Sequence, residues 1–166
     1  MSKACLLCPN DWRFSYAWSV SRIHGKYNMD LKKLIEEASS EDEVPAHIRE
    51  DVFEGFIYKD DTIAIFTDVD KDSPTHLLIV PIEHLEDLYI LGRPDLLMVA
   101  MCAAEQLVEI SEVPEAYISI SSKKDGTSYV PHSHIHVQSQ SIMGVENMQL
   151  PHEFYKRSKY YKEIRL

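Results

Sequence analysis

Three histidines, His132, His134 and His136, stand two residues apart in the run Pro131-His132-Ser133-His134-Ile135-His136-Val137. An extended strand places i, i+2 and i+4 on one face, with neighbouring side chains about 6.6–6.8 Å apart along the chain. Such a strand carries three titratable rings on one side and turns Ile135 and Val137 toward a core. Imidazole has an ordinary pKa close to neutrality and serves as nucleophile, proton carrier or metal ligand. One such ring on a solvent-facing strand could simply replace a threonine or glutamine. A row of them points to chemistry on a polar, anionic group. A pure metal site fits poorly, because consecutive same-face strand positions diverge too widely to converge on one tetrahedral ion. A division of labour is more natural, with one end of the row serving a metal and the other a ligand.

A second group with chemical potential is Cys5-Leu6-Leu7-Cys8. A Cys-x-x-Cys pair in a reducing compartment reads as half a zinc site or as a redox pair. Cys102, in an apolar stretch, reads as buried packing.

The chain has 166 residues, 45% of them hydrophobic, which suits one domain able to bury a core without disulfide staples. Its formal net charge is −10. That argues against broad nucleic-acid binding, which depends on neutralising phosphates with Lys and Arg, and against an anionic membrane surface. A small phosphate ligand held by local donors stays compatible with it. Met1-Ser2-Lys3-Ala4 does not lead into an apolar signal segment, and no apolar run is long enough to span a bilayer. The expectation is a cytoplasmic protein.

The elements that must position these residues are legible in part. Residues 12–20 alternate Trp12, Phe14, Tyr16, Trp18 and Val20 with smaller or polar side chains, a strand-like period that an aromatic-packed loop would also show. Asp30 predicts the N-cap of a helix over 31–38. Residues 36–54 carry eight acids against Arg49 and read as a solvated, mobile loop. Residues 56–58 and 62–66 predict a hairpin around Lys59-Asp60-Asp61, residues 75–81 a central strand, and 83–91 a short helix or turn. Pro94 suits the first turn of a helix over 95–111, with Leu96, Leu97, Ala100, Met101, Ala104, Leu107 and Val108 as its apolar stripe. A strand at 116–121, a polar turn at 123–128 and the histidine strand follow; the tail from Glu153 reads as helical. The sum is an α+β domain with helices on a mostly antiparallel sheet. The segments divide into 1–8, an elaboration at 9–55, the main domain at 56–140 and an extension at 141–166.

The histidine row resembles the signature of the histidine triad (HIT) family, in which histidines alternate with apolar residues along a strand. A second stretch is similar to the family as well. Thr62–Asp68 is a strand ending in an aspartate; His76 then opens an apolar strand closed by Pro81-Ile82-Glu83-His84. The resemblance covers residues 5–8 and about 56–140. It implies a HIT-like fold and a nucleotidyl hydrolase or transferase acting at the α-phosphate of a nucleotide. In that reading His134 is the nucleophile that forms a nucleotidyl-histidine, its tautomer fixed by a backbone carbonyl. His136 contacts phosphate oxygens, and Gly126, Thr127 and Ser128 supply further donors. Asp68 accepts hydrogen bonds from the ribose; a strand-end turn is its other reading.

In zinc-bearing members, and in the related galactose-1-phosphate uridylyltransferases, an N-terminal Cys-x-x-Cys joins the Pro-x-x-His histidine and the first triad histidine. The resemblance therefore implies a structural zinc held by Cys5, Cys8, His84 and His132, with no open position for catalysis. Ser133 and Gln138 stand where the family usually has apolar residues, and Val137-Gln138-Ser139-Gln140 is similar to aprataxin-like relatives. Small members often pair through the long helix, which admits a homodimer. A different class of function remains open: a zinc-stabilised nucleotide-binding or partner-binding module with little turnover.

Overall fold

The structure is a computed structural model that describes residues 5, 7–16, 19, 30–52, 55–67, 76–86, 93–111, 115–120, 132–139 and 149–163. They form two compact units, Met1–Gly55 and Phe56–Leu166.

In the second unit, five strands make one antiparallel sheet: β1 (Phe56–Lys59), β2 (Ile63–Thr67), β3 (His76–Pro81), β4 (Tyr117–Ile120) and β5 (Ile135–Gln138). Their order is β1-β2-β3-β5-β4, so the chain leaves β3, makes the long helix Pro94–Ile110, and returns to the sheet with β4 at the far edge and β5 between β4 and β3. Helices on an antiparallel sheet are the α+β architecture expected. The β1–β2 turn is built by Asp60, whose carboxylate accepts the backbone N–H groups of Thr62 (2.7 Å) and Ile63 (2.9 Å). A short acidic side chain satisfies turn donors in this way without help from the ladder.

The core lies between one face of the sheet and the long helix. Ile63, Ile65, Leu77, Ile79, Ile135 and Val137 pack with Val99, Ala100, Ala103, Ala104 and Leu107. Helix and strand periodicities converge on this layer, the stripe repeating every three to four residues and the strands every second residue. Phe154 and Tyr155, in a 3-10 turn at Phe154–Arg157, complete the core. The tail is thus two 3-10 turns, the second at Tyr161–Glu163, in place of an α-helix. Its attachment is polar as well as apolar. Asp60 accepts from the Tyr58 hydroxyl (2.6 Å) and the Tyr155 hydroxyl (3.1 Å), and the Glu153 N–H donates to the Tyr58 hydroxyl (2.8 Å). Glu153 takes a left-handed conformation, φ 52°, to make that contact. Burial alone would raise the Asp60 pKa; its hydrogen bonds outweigh burial and hold the carboxyl below its ordinary range.

The first unit departs from the sequence reading in two places. Residues 13–16 are helical, where alternation suggested a strand. Trp12 and Tyr16, four apart, stack edge to face at 5.2 Å, a contact that a helical turn makes and a strand does not. The acidic 36–54 segment also is not a mobile loop. It holds a 3-10 turn at Glu41–Glu43 and a helical turn at Ala46–Arg49, and it buries Val44 and Ile48 to 1% exposure against Tyr16, Leu31, Ile35 and Ala38. The acids face outward around a small apolar spine that a count of charges does not reveal. The helix Leu31–Glu37 forms as expected, with the Asp30 carboxylate accepting from the Lys33 N–H. At its other end Arg13 donates to the carbonyls of Ile35 (3.3 Å) and Ala38 (2.6 Å), a cationic cap on carbonyls that lack helical partners.

Candidate active site

The histidine row is not one continuous strand. β5 begins at Ile135; His132, Ser133 and His134 precede it in irregular backbone. From His134 onward the expected alternation holds: His134, His136 and Gln138 are half-buried, while Ile135 and Val137 are fully buried. His132 breaks the pattern. It is 1% exposed, and Ser133 beside it is buried too, so the first ring does not share the open face of the other two.

Two backbone carbonyls, one at the last residue of β3 and one just beyond it, produce this break. Pro81 O lies 3.0 Å from His132 Nε2, and Leu85 O accepts the Ser133 N–H at 2.6 Å. A carbonyl can only accept, so Nε2 of His132 bears the proton and Nδ1 is the ring's acceptor nitrogen. The same two contacts bracket His84, whose ring meets His132 edge to face at 5.0 Å and 89°. Burial, opposed by the Pro81 bond and reinforced by His84 and His134, lowers the His132 pKa to about 4. At neutral pH this ring is uncharged, the form that ligates a metal.

His134 is set differently. Its Nδ1 lies 2.8 Å from its own segment's His132 carbonyl, so Nδ1 carries the proton and Nε2 carries the lone pair. The His136 ring stands 4.6 Å away at 65°. In the sheet His136 is opposite Leu78 on β3 and Ser119 on β4. A half-buried imidazole with a fixed tautomer, next to a second imidazole, can attack an electrophile and stabilise the charge that develops beside it.

In the first unit, the Cys8 N–H donates to the Cys5 carbonyl at 3.3 Å, closing the Cys-x-x-Cys turn. Neither cysteine is in a disulfide. Burial, then the Cys5 sulfur in hydrogen-bond contact, then Asp11, push the Cys8 thiol up to about 12. The two thiols of this unit, Cys5 and Cys8, and the two imidazoles of the second, His84 and His132, are all of a type that ligates a metal ion.

Asp68 and the turn with Gly126, Thr127 and Ser128 lie outside the described residues. A cavity of about 460 Å³ at the start of the long helix involves none of the histidines; Arg93 lines it, paired with Glu83 and Asp95. No helix among the described residues is long and apolar enough to cross a membrane. What sequence reasoning missed is the role of the Pro81 and Leu85 carbonyls as acceptors for the histidine segment, for which backbone contacts leave no side-chain signal.

A model of the HIT domain matches residues 50–141, more than half of the chain, and the chain belongs to that family. It is similar to a HIT family hydrolase from Clostridium thermocellum, with 21% identity over 58% of this chain and 88% of that one and a TM-score of 0.47. It is similar also to a histidine triad protein from Clostridium difficile (20% identity, 62% and 87% covered, TM-score 0.46). A third is a zinc-bound histidine triad family protein from Mycobacterium smegmatis (20% identity, 56% and 70% covered, TM-score 0.46). Comparison with curated proteins returns no match.

Proposed function

We propose that this chain is a nucleotidyl hydrolase or transferase that works at the α-phosphate of a nucleotide through His134. The observation that carries the reading is the 2.8 Å contact between His134 Nδ1 and the His132 carbonyl. It leaves Nε2 as the nucleophilic nitrogen on a ring that solvent reaches. The Nε2 lone pair attacks the α-phosphorus, and the bond from phosphorus to the leaving nitrogen or oxygen breaks with its electron pair. The leaving group takes a proton from solvent. Water then attacks the nucleotidyl-histidine; the P–N bond returns its electrons to Nε2, a proton goes to solvent, and a nucleoside monophosphate departs. An acceptor other than water would make the same chemistry a transfer. Splitting one displacement in two is the gain from covalent catalysis.

His136 supplies charge stabilisation at the phosphate oxygens. Following the family motif they match, Asp68 binds the ribose hydroxyls and the Gly126-Thr127-Ser128 turn binds the phosphate. Cys5, Cys8, His84 and His132 hold a structural zinc. The fit is supported by the buried, neutral His132 with Nε2–H committed to Pro81 and by the chemistry of the donor set. Four protein ligands would leave the metal no catalytic position, and its contribution would be to tie down the segment that carries His134.

The test is to mix the protein with adenosine phosphoramidate, aminoacyl adenylate or diadenosine tetraphosphate, quench in base, and weigh the protein intact. An added nucleotidyl mass on wild type, absent from His134→Asn, is the expected result. Tight AMP binding with no turnover of any of them would favour a binding module instead.

A further inference from the structure

We propose that Ser119 is a phosphate-contacting residue of the His134–His136 site, an assignment that rests on the nucleotidyl-transfer reading above. Ser119 is the β4 residue directly opposite His136 on β5. Directly paired residues on neighbouring antiparallel strands point to the same face, with Cβ atoms about 4.5–5.5 Å apart. The face is fixed by the neighbours. Ile118 and Ile120 pair with Val137 and Ile135, both fully buried, and Ile120 packs on the core. Strand alternation therefore turns Ser119 to the opposite side, where His136 stands.

His136 has unlike flanks. On β3 its partner is Leu78, an apolar side chain 6% exposed. On β4 its partner is Ser119, an exposed hydroxyl. A phosphate held over His134 and His136 thus has a hydrocarbon on one side and a hydroxyl on the other. No side-chain hydrogen bond among those of the described residues engages the Ser119 hydroxyl. It is left to rotate toward a ligand, and a short rigid side chain on a strand loses little freedom in doing so. Ser119 donates its O–H to a non-bridging oxygen of the transferring phosphoryl group. That oxygen gains negative charge as the pentacoordinate arrangement forms, so the bond strengthens along the reaction.

The experiment compares AMP with adenosine, which lacks the phosphate, by titration calorimetry, alongside turnover of adenosine phosphoramidate. Wild type, Ser119→Ala, Ser119→Thr and His134→Asn are measured. Ser119→Ala should weaken AMP binding about five- to tenfold, leave adenosine binding unchanged, and lower kcat about tenfold. Ser119→Thr keeps the hydroxyl and should restore both to within about threefold of wild type. Equal loss of AMP and adenosine affinity in Ser119→Ala would mean a structural role and overturn the proposal. So would a fully active Ser119→Ala beside an inactive His134→Asn, with the nucleotidyl-transfer reading left standing. Turnover by His134→Asn at the wild-type rate, or a wild type that neither binds AMP nor turns over, would overturn that reading and this assignment together.

Discussion

His132 and His134 are two residues apart, and each makes one ring contact with a backbone carbonyl, yet the contacts set the rings in opposite ways. Pro81 O accepts a hydrogen bond from Nε2–H of His132, and His132 O accepts one from Nδ1–H of His134. The first ring is 1% exposed with its pKa lowered to about 4, while the second is half-buried on the open face of the sheet. One residue type thus yields a neutral, fixed ring suited to a metal and a ring suited to attack. The lesson is that the nitrogen left with a lone pair, and whether a substrate can reach it, are decided by which carbonyl is nearby.

The sharpest way to break the contrast is to remove each ring's chemistry separately. His134→Asn keeps a polar side chain of similar reach and should lower kcat for adenosine phosphoramidate by about a thousandfold or more, with thermal stability nearly unchanged. A residual rate near wild type would return the nucleophile to some other group. At the metal end, atomic-emission analysis of purified protein should find about one zinc per chain, and Cys5→Ser should fall well below that. A folded, metal-free wild type would contradict the site.

The titration of His132 gives the next effect. Its native pKa, about 4, lies below the ordinary 6.5, so between those values the unfolded chain binds a proton that the native ring refuses. Stability then falls as pH drops from about 6.5 toward 4, by about 3 kcal/mol in all for a shift of this size. Urea unfolding at several pH values with a chelator present would measure it; a flat profile would show that His132 is protonated in the native state. The smallest effect tests a hydroxyl far from this chemistry in sequence. Tyr155→Phe removes one donor from Asp60 and should cost about 1 kcal/mol in the same assay. Its kcat should match wild type, since Tyr155 belongs to the core attachment of the tail.

The fold was legible where periodicity is set by a large buried surface. The long helix and strands β1 to β4 fall within a residue or two of their expected ends, because Ile, Val and Leu at regular spacing leave no other way to face a core. The reading failed where the apolar surface is small. Among the described residues of 36–54, Ala38, Val44, Ile48 and partly Val52 pack inward, too few to stand out among eight acids. Residues 12–16 failed for another reason: alternating aromatics also satisfy an i, i+4 pairing, and Trp12 on Tyr16 took it. In the site, the histidines themselves were legible as chemistry from their spacing. That His132 leaves the shared face was not, since Ile135 and Val137 predict the strand beyond it equally well in either case.

The order of residues alone establishes which functional groups are present, that imidazoles alternate with core residues from His134 onward, and that two thiols and two imidazoles are available as ligands. How each ring holds its proton is set by the folded chain. Tautomer and burial depend on carbonyls such as Pro81 O, which lies 51 residues from His132 in the chain. Every residue carries an identical carbonyl, so no pattern of side chains marks the one that matters; only the folded path of the backbone brings it to the ring.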